Sequence, residues 1–243
     1  LEKFIKKQKK NKTVIMFPDN QYKPLIEKKL KTLNLNNLKT FTYNPNPEVL
    51  TGDIEILTNY SQRKKNLSLR KKLYEDKEDE QSIKALERLD QLYTLGGVNF
   101  DSVIIVDFGN SLKSVLTSLV YTDVNQNQVL ITTVNQWFDE SIFYENTIKE
   151  LYYPSINYKE FKKYNDIYFK KFKSYPNEIT ILTYDALGLI YYAWKENGNI
   201  NSINDFSFKN KIKGKIGTFS FKDKKVLQDL EIYKVDKDRF SKF

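Results

Sequence analysis

The chain of 243 residues (28.8 kDa) is 40% hydrophobic, enough for one large domain or two small ones around a real core. Its +9 net charge comes from 40 basic and 31 acidic residues, but only Arg63, Arg70, Arg88 and Arg239 are arginines; the lysine excess, with 23 asparagines and many Ile, Tyr and Phe, follows AT-rich codons and does not by itself indicate an anionic partner. Histidine and cysteine are absent, which excludes Ser-His-Asp and Cys-His catalysis, ordinary zinc sites, CxxC redox chemistry, haem and iron–sulfur ligation.

The chain opens at Leu1-Glu2-Lys3 without an initiator Met, and so reads as an internal fragment or processed product. Thr13–Pro18 is a short β-branched run of the kind buried on both faces of a sheet, followed by a helical pattern over Tyr22–Leu33. From Pro47 to Leu95, apolar residues such as Leu50, Ile54, Leu57, Leu67, Ile83, Leu86 and Leu89 recur at helical spacing around the charged turn Glu75–Glu80, which predicts a long helical hairpin. Its charged run reads as a solvated surface rather than a metal site.

Strand runs at Phe100–Asp107 and Val129–Val134 follow, each leading into a helical pattern: Ser111–Val120 after the first, a short piece after Asp139 for the second. Strand, loop and helix in repetition predict an α/β fold with a parallel sheet. Helices are expected over Tyr158–Phe172, ended by Tyr175-Pro176, and Ile179–Glu196, ended by Gly198. Ile179, Leu182, Ala186, Leu189 and Ala193 line one face of the latter, with further apolar residues elsewhere around it. The stretch Ile179–Trp194 is interrupted by Asp185 and falls short of the roughly 20 residues a membrane span needs. Gly214–Phe219 and Leu230–Val235 predict a C-terminal β-hairpin, turning through Lys222-Asp223-Lys224 and extending the sheet at an edge.

Charge is unevenly spread. Residues 1–40 carry 11 cations and 3 anions (+8), residues 91–150 carry 2 and 7 (−5), and residues 203–243 carry 11 and 6 (+5). Neither a GxGxxG nor a P-loop motif occurs, so no nucleotide or other cofactor is expected. Asp123–Asn127 imitates an EF-hand start, but Gln128 stands where the glycine is needed and Val134 where the bidentate Glu belongs. Asp139 and Glu140 after Trp137 are adjacent in sequence, whereas glycosidase carboxylates face each other across the substrate. A nucleic-acid surface is not expected either. Phe4, Phe17, Phe41, Phe108, Phe161, Phe169, Phe172 and Phe219 read mostly as core positions, and arginine, the base-reading cation, is scarce.

What remains is a set of polar loops at the C-terminal ends of strands, where open α/β sheets bind ligands. They are Asp19-Asn20-Gln21-Tyr22, then Asp107 with Gly109-Asn110-Ser111, then Asn135-Gln136-Trp137-Phe138-Asp139. Hydrogen-bonding groups beside a ring suit a small polar ligand; the bland alternative is that Asp19, Asn110 and Ser111 only cap helices.

The segments "KKNKTVIMFPDNQYKP", "FDSVIIVDFGNSLKSVL", "VLITTVNQWFDES", "FKKFKSYPNEITILTYDALGLIYYAW" and "GKIGTFSFKDKKVLQDLEIYKVDKDRF", in that order, resemble the type I periplasmic solute-binding proteins of the leucine/isoleucine/valine-binding class. The insertion "ILTNYSQRKKNLSLRKKLYEDKEDEQSIKALERLDQLYTLGGVNFDSVIIVD" is similar to the branch of penicillin-binding protein activators, which regulate peptidoglycan synthases. The resemblance implies two three-layer α/β lobes. Residues 1–155 and 212–243 would form the second lobe, with 47–95 as its helical insertion; 156–211 would be a helical return segment of the first lobe, whose N-terminal part would precede Leu1. It implies ligand contacts at Tyr22, Asn110, Ser111 and Trp137, to which Asp19, Asn20, Asn135 and Tyr184 are added as candidates. It further implies a non-enzymatic, periplasmic, lipid-anchored binding protein that spans no membrane. Its partners would be a small polar ligand such as an amino acid, or a cell-wall synthase, with self-association through the 179–196 helix. The activator-like regulator is the leading reading, and the substrate-binding component of a branched-chain amino-acid ABC transporter the alternative.

Overall fold

A computed structural model describes residues 1–144, 150–206, 208–222, 225–236 and 238–243. The chain divides into two compact units, one of Leu1–Val134, Glu140–Tyr153 and Val235–Arg239, the other of Asn135–Asp139, Pro154–Lys234 and Phe240–Phe243.

The first unit is built on a parallel sheet. β1 (Thr13–Pro18) lies between β2 (Lys39–Tyr43) and β3 (Ser102–Ile105), and β4 (Leu130–Thr133) and β5 (Leu151–Ser155) follow β3, giving the order β5-β4-β3-β1-β2. Every residue of β1 and β3 is buried, as the β-branched runs predict for strands covered on both faces. Ile15, Phe17 and Ile104 form a core with Ile5 of α1 (Glu2–Lys7), backed by Ile26 and Leu30 of α2 (Lys23–Leu30). Val14, Met16, Val103 and Ile105 alternate to the opposite face. Buried hydroxyls are partnered across the ladder: Thr13 Oγ1 meets Ser102 Oγ at 2.7 Å, and Thr132 and Thr133 donate to the Val103 and Ile105 carbonyls at 2.8 and 2.7 Å.

The helical region is three helices rather than a simple hairpin. α3 (Pro47–Thr58) starts on an Asn46 cap and breaks at Asn59, whose φ of 51° is left-handed; α4 (Tyr60–Glu75) and α5 (Glu80–Asp90) then pair around the acidic turn. Asp79, in that run, caps α5 by accepting from Ser82 N–H at 2.9 Å. Arg63 on α4 is 6% exposed. Its guanidinium donates to Gly96 O, Thr122 O, Asp123 O and Thr94 Oγ1 at 2.7–2.9 Å, with the Asp123 carboxylate 3.7 Å away. This one arginine fastens α4 to the loop before β3 and to the end of α6 (Gly109–Tyr121), whose Leu112, Val115, Leu116 and Leu119 are buried.

In the second unit, α7 (Tyr158–Phe172) and α8 (Glu178–Asn197) follow the sequence boundaries closely, ending on left-handed Lys173 and Gly198. The inward face of α8 is Ile181, Asp185, Leu189 and Ala193, so the expected face was rotated: Ile179 and Leu182 are exposed. Buried Asp185 explains the shift. Its carboxylate accepts the backbone N–H groups of Lys215, Ile216 and Gly217 at 2.6, 3.1 and 3.1 Å. Gly214 is needed in that loop because a Cβ there would sit 2.8 Å from the carboxylate.

The antiparallel hairpin joins β7 (Thr218–Lys222) to β8 (Lys225–Gln228), with the two-residue β6 (Ile212–Lys213) on the outer side of β7. The expected partner differs. β9 (Glu231–Asp236) instead stands next to β5, with β10 (Arg239–Lys242) beyond it at the sheet edge. Of the predicted turn, Asp223 and Lys224 lie outside the described residues. Of the expected core phenylalanines, Phe4, Phe17 and Phe219 are buried but Phe108, Phe169 and Phe172 are exposed.

Candidate functional site

From β1 the chain crosses to β2 on one side and, after α3–α5, returns to β3 on the other side of β1. The strand order therefore reverses between β1 and β3, and the crevice outside their C-terminal ends is where open α/β sheets take ligands. Two of the predicted loops stand there.

After β1, Asp19 N–H donates to the Tyr43 carbonyl at 2.8 Å, tying the loop to the end of β2. Asn20 Oδ1 accepts Tyr22 N–H at 2.9 Å, a local turn that leaves the Tyr22 ring 57% exposed at the start of α2. Asp19 pairs with Lys23 at 3.1 Å. After β3, buried Asp107 accepts Tyr43 Oη–H and Ser111 Oγ–H, each at 2.5 Å on Oδ2, and Phe108 N–H at 2.8 Å on Oδ1. Burial, then the bond to Asp107, pushes the Tyr43 phenol far above its ordinary range, which keeps it a neutral donor. Gly109 takes a φ of +54° to let α6 begin, and Phe108 projects 59% exposed. Neither α2 nor α6 has a side-chain cap, so Asp19, Asn110 and Ser111 are not spent on capping.

The rim of the first unit thus joins a fixed carboxylate–hydroxyl network to two exposed rings and the amide of exposed Asn110. It offers hydrogen bonds and apolar walls. Ser111 lacks the imidazole base that activates a serine nucleophile, since the chain has no histidine. Tyr43 was not foreseen. Its contact with Asp107 links residues 64 apart on a strand that sequence reading did not find.

Asn135, Trp137 and Tyr184 belong to the second unit. Asn135 is exposed. Half-buried Trp137 leans on Phe161 at 6.1 Å, beside Phe138, which packs against Tyr158, Tyr233 and Phe240 at 4.7–5.2 Å. Gln136 O accepts Ser155 Oγ–H at 2.6 Å, which anchors this loop. Tyr184 sits half exposed on α8, edge-on to Tyr164 at 5.4 Å. The same unit holds a polar hollow of about 290 Å³ lined by Asn157, Glu160, Lys213, Lys215, Asp229 and Glu231. No helix among the described residues is long and apolar enough to cross a membrane.

No family model and no curated protein matches the sequence. Solved structures do match in fold. A branched-chain amino-acid ABC transporter periplasmic ligand-binding protein from Burkholderia xenovorans is 8% identical with a TM-score of 0.59, over 100% of this chain and 60% of that one. An ABC-transporter solute-binding protein from Rhodopseudomonas palustris, in complex with 3,4-dihydroxybenzoic acid, is 9% identical at a TM-score of 0.56, over 100% and 62%. A leucine-, isoleucine-, valine-, threonine- and alanine-binding protein from Brucella ovis, in its closed conformation, is 12% identical at 0.55, over 100% and 59%. The chain spans about 60% of the length of these structures, and its fold is that of the type I periplasmic binding proteins.

Proposed function

We propose that this chain is the ligand-gripping part of a periplasmic solute-binding protein, which holds a small polar ligand at the β1/β3 switch point and performs no chemistry on it. The observation that carries the reading is the Tyr43–Asp107–Ser111 network at that point, flanked by exposed Tyr22 and Phe108. Solved neighbours are described as binding branched-chain amino acids or an aromatic acid, which supports a ligand carrying a carboxylate and an apolar body. In this reading Asp19, Asn20, Tyr22, Asn110 and Ser111 are the ligand contacts of the first unit, and Asn135, Trp137 and Tyr184 are the candidates of the second. Residues 1–155 and 212–243 act as one lobe, and 156–211 as the return segment of another whose layers cover the apolar face of α8.

The neighbours favour this transporter-type reading over a penicillin-binding-protein activator acting on a cell-wall synthase. The activator reading rests on α3–α5, which expose Ile56, Leu69, Leu73 and Ile83 as a partner-sized surface. Titration calorimetry of the 243-residue chain with a panel of aliphatic amino acids and small aromatic acids tests the proposal. Saturable heat from at least one compound, weakened at least tenfold by Ser111→Ala together with Tyr22→Ala, is the expected result; an athermal panel paired with synthase stimulation that depends on α4–α5 reverses the preference.

A further inference from the structure

The N-terminus of α6 stands at the β1/β3 switch point, and a helix start of this kind ordinarily draws an anion to its free amides. In this chain that end already carries one. Buried Asp107 accepts Phe108 N–H at 2.8 Å on Oδ1, and Ser111 Oγ–H and Tyr43 Oη–H at 2.5 Å on Oδ2. A second carboxylate, brought by a ligand, would meet the field of the first at close range.

The same bonds fix which way the hydroxyls point. An ionised carboxylate only accepts, so both hydroxyl protons are committed to Oδ2. Tyr43 is buried, whereas Ser111 is half-buried and its oxygen lone pairs receive no donor among the described residues. What the network offers outward is an acceptor backed by a negative charge. The lysines of the two elements are engaged: Lys23 pairs with Asp19 at 3.1 Å, and Lys113 donates to Ser141 Oγ at 2.7 Å. Residues 91–150, which supply β3, α6 and β4, carry 2 cations against 7 anions. Tyr22 and Phe108 are exposed on the same rim, and aromatic faces attract an ammonium.

We propose that Asp107 determines specificity: it makes the rim receive the hydrogen-donating end of a ligand, above all an ammonium, at Ser111 Oγ, and turn a carboxylate away. This rests on the β1/β3 crevice being the ligand site. It narrows the ligand class to amines and to amino acids that enter amine first, with the carboxylate lying away from this rim.

The test is an NMR titration of the 243-residue chain with leucine, with 3-methylbutylamine, which lacks the carboxylate, and with 4-methylpentanoate, which lacks the amine. At the amides of Tyr22, Phe108, Asn110 and Ser111, the amine is expected to bind about tenfold tighter than the acid or better, as a hydrogen bond to a charged group allows. In Asp107→Asn, Phe108 N–H keeps the amide oxygen on its side, so the NH2 group replaces Oδ2, donates to Ser111 Oγ and frees the hydroxyl proton to turn outward. The amine should then lose affinity, the acid gain it, and the preference disappear. Spectral dispersion shows whether this variant folds; if it does not, Ser111→Ala, which should weaken the amine about tenfold and leave the acid unchanged, carries the measurement. An acid that binds as tightly as the amine, a preference that survives Asp107→Asn, or a loss shared equally by both compounds in either variant would overturn the role of Asp107 while leaving the crevice as the site. Rim amides unmoved by all three compounds would overturn the crevice itself, and this inference with it.

Discussion

The strands of the first unit and α8 of the second are both dense in apolar residues, but they meet different fates. β1 and β3 are buried along their whole length, while α8 buries Ile181, Asp185, Leu189 and Ala193 and leaves Leu187, Ile190, Tyr191 and Trp194 open. Each region also holds a buried charged side chain that ties segments together, Arg63 in the first and Asp185 in the second. Arg63 ties three segments together by four hydrogen bonds; Asp185 ties one helix to one loop by three. Apolar density thus records the demand for burial, and the number of covering elements decides how much of it is met within the unit.

The largest effect is expected at Arg63. Arg63→Ala would orphan the Thr122, Asp123 and Gly96 carbonyls and should cost about 3–5 kcal/mol in urea unfolding, the usual result of removing one partner from a buried charged network. Arg63→Lys should recover only part, because an ammonium cannot reproduce the planar fork. If Arg63→Ala cost under about 1 kcal/mol, the level of an exposed ion pair, the clamp would contribute nothing special. Asp185→Ala should be milder, about 1–3 kcal/mol, since it strands backbone donors of a single loop. Amide exchange should quicken at Lys215, Ile216 and Gly217 and stay unchanged in β1.

Alkaline unfolding compares the two regions directly, because each holds a phenol pushed up to about 12. Burial comes first for both Tyr152 and Tyr233, reinforced by Glu150 and Glu231 respectively. A raised phenol pKa means the fold prefers the protonated form. That contribution is complete below pH 10 and is lost as pH rises from 10 towards 12. Stability should decline across that window, and Tyr152→Phe and Tyr233→Phe should each flatten part of the decline; an unchanged slope in both would refute the assignment. The smallest effect is expected on α8. Leu187→Glu should change unfolding free energy by less than about 0.5 kcal/mol. A large loss of stability would mean that this face is packed within the chain.

Legibility followed the same division. β1, β3 and β4 were readable because unbroken β-branched runs tolerate only a doubly covered strand. α7 and α8 were readable from periodicity and their stops. β2 and β5 were not: Lys39–Tyr43 is an edge strand with two half-buried rows, and Pro154 disguises Leu151–Ser155. The lysine-rich start hid α1, in which only Phe4 and Ile5 turn inward. The inward face of α8 was misjudged because a buried carboxylate looks solvent-facing until its three backbone donors, some 30 residues away, are known. The rim loops could be named from the strand ends, but the contact of Tyr43 with Asp107 depends on strand order, which no local pattern encodes.

The central claim is that the β1/β3 crevice is the ligand site. An amide-resolved NMR titration of the 243-residue chain with leucine and with 3,4-dihydroxybenzoate tests it most directly. Saturable shifts clustered at Tyr22, Phe108, Asn110 and Ser111, and weakened by Asp107→Asn, are the predicted result. Shifts confined to the polar hollow around Lys213 and Glu231, or none with either compound at millimolar concentration, would contradict it.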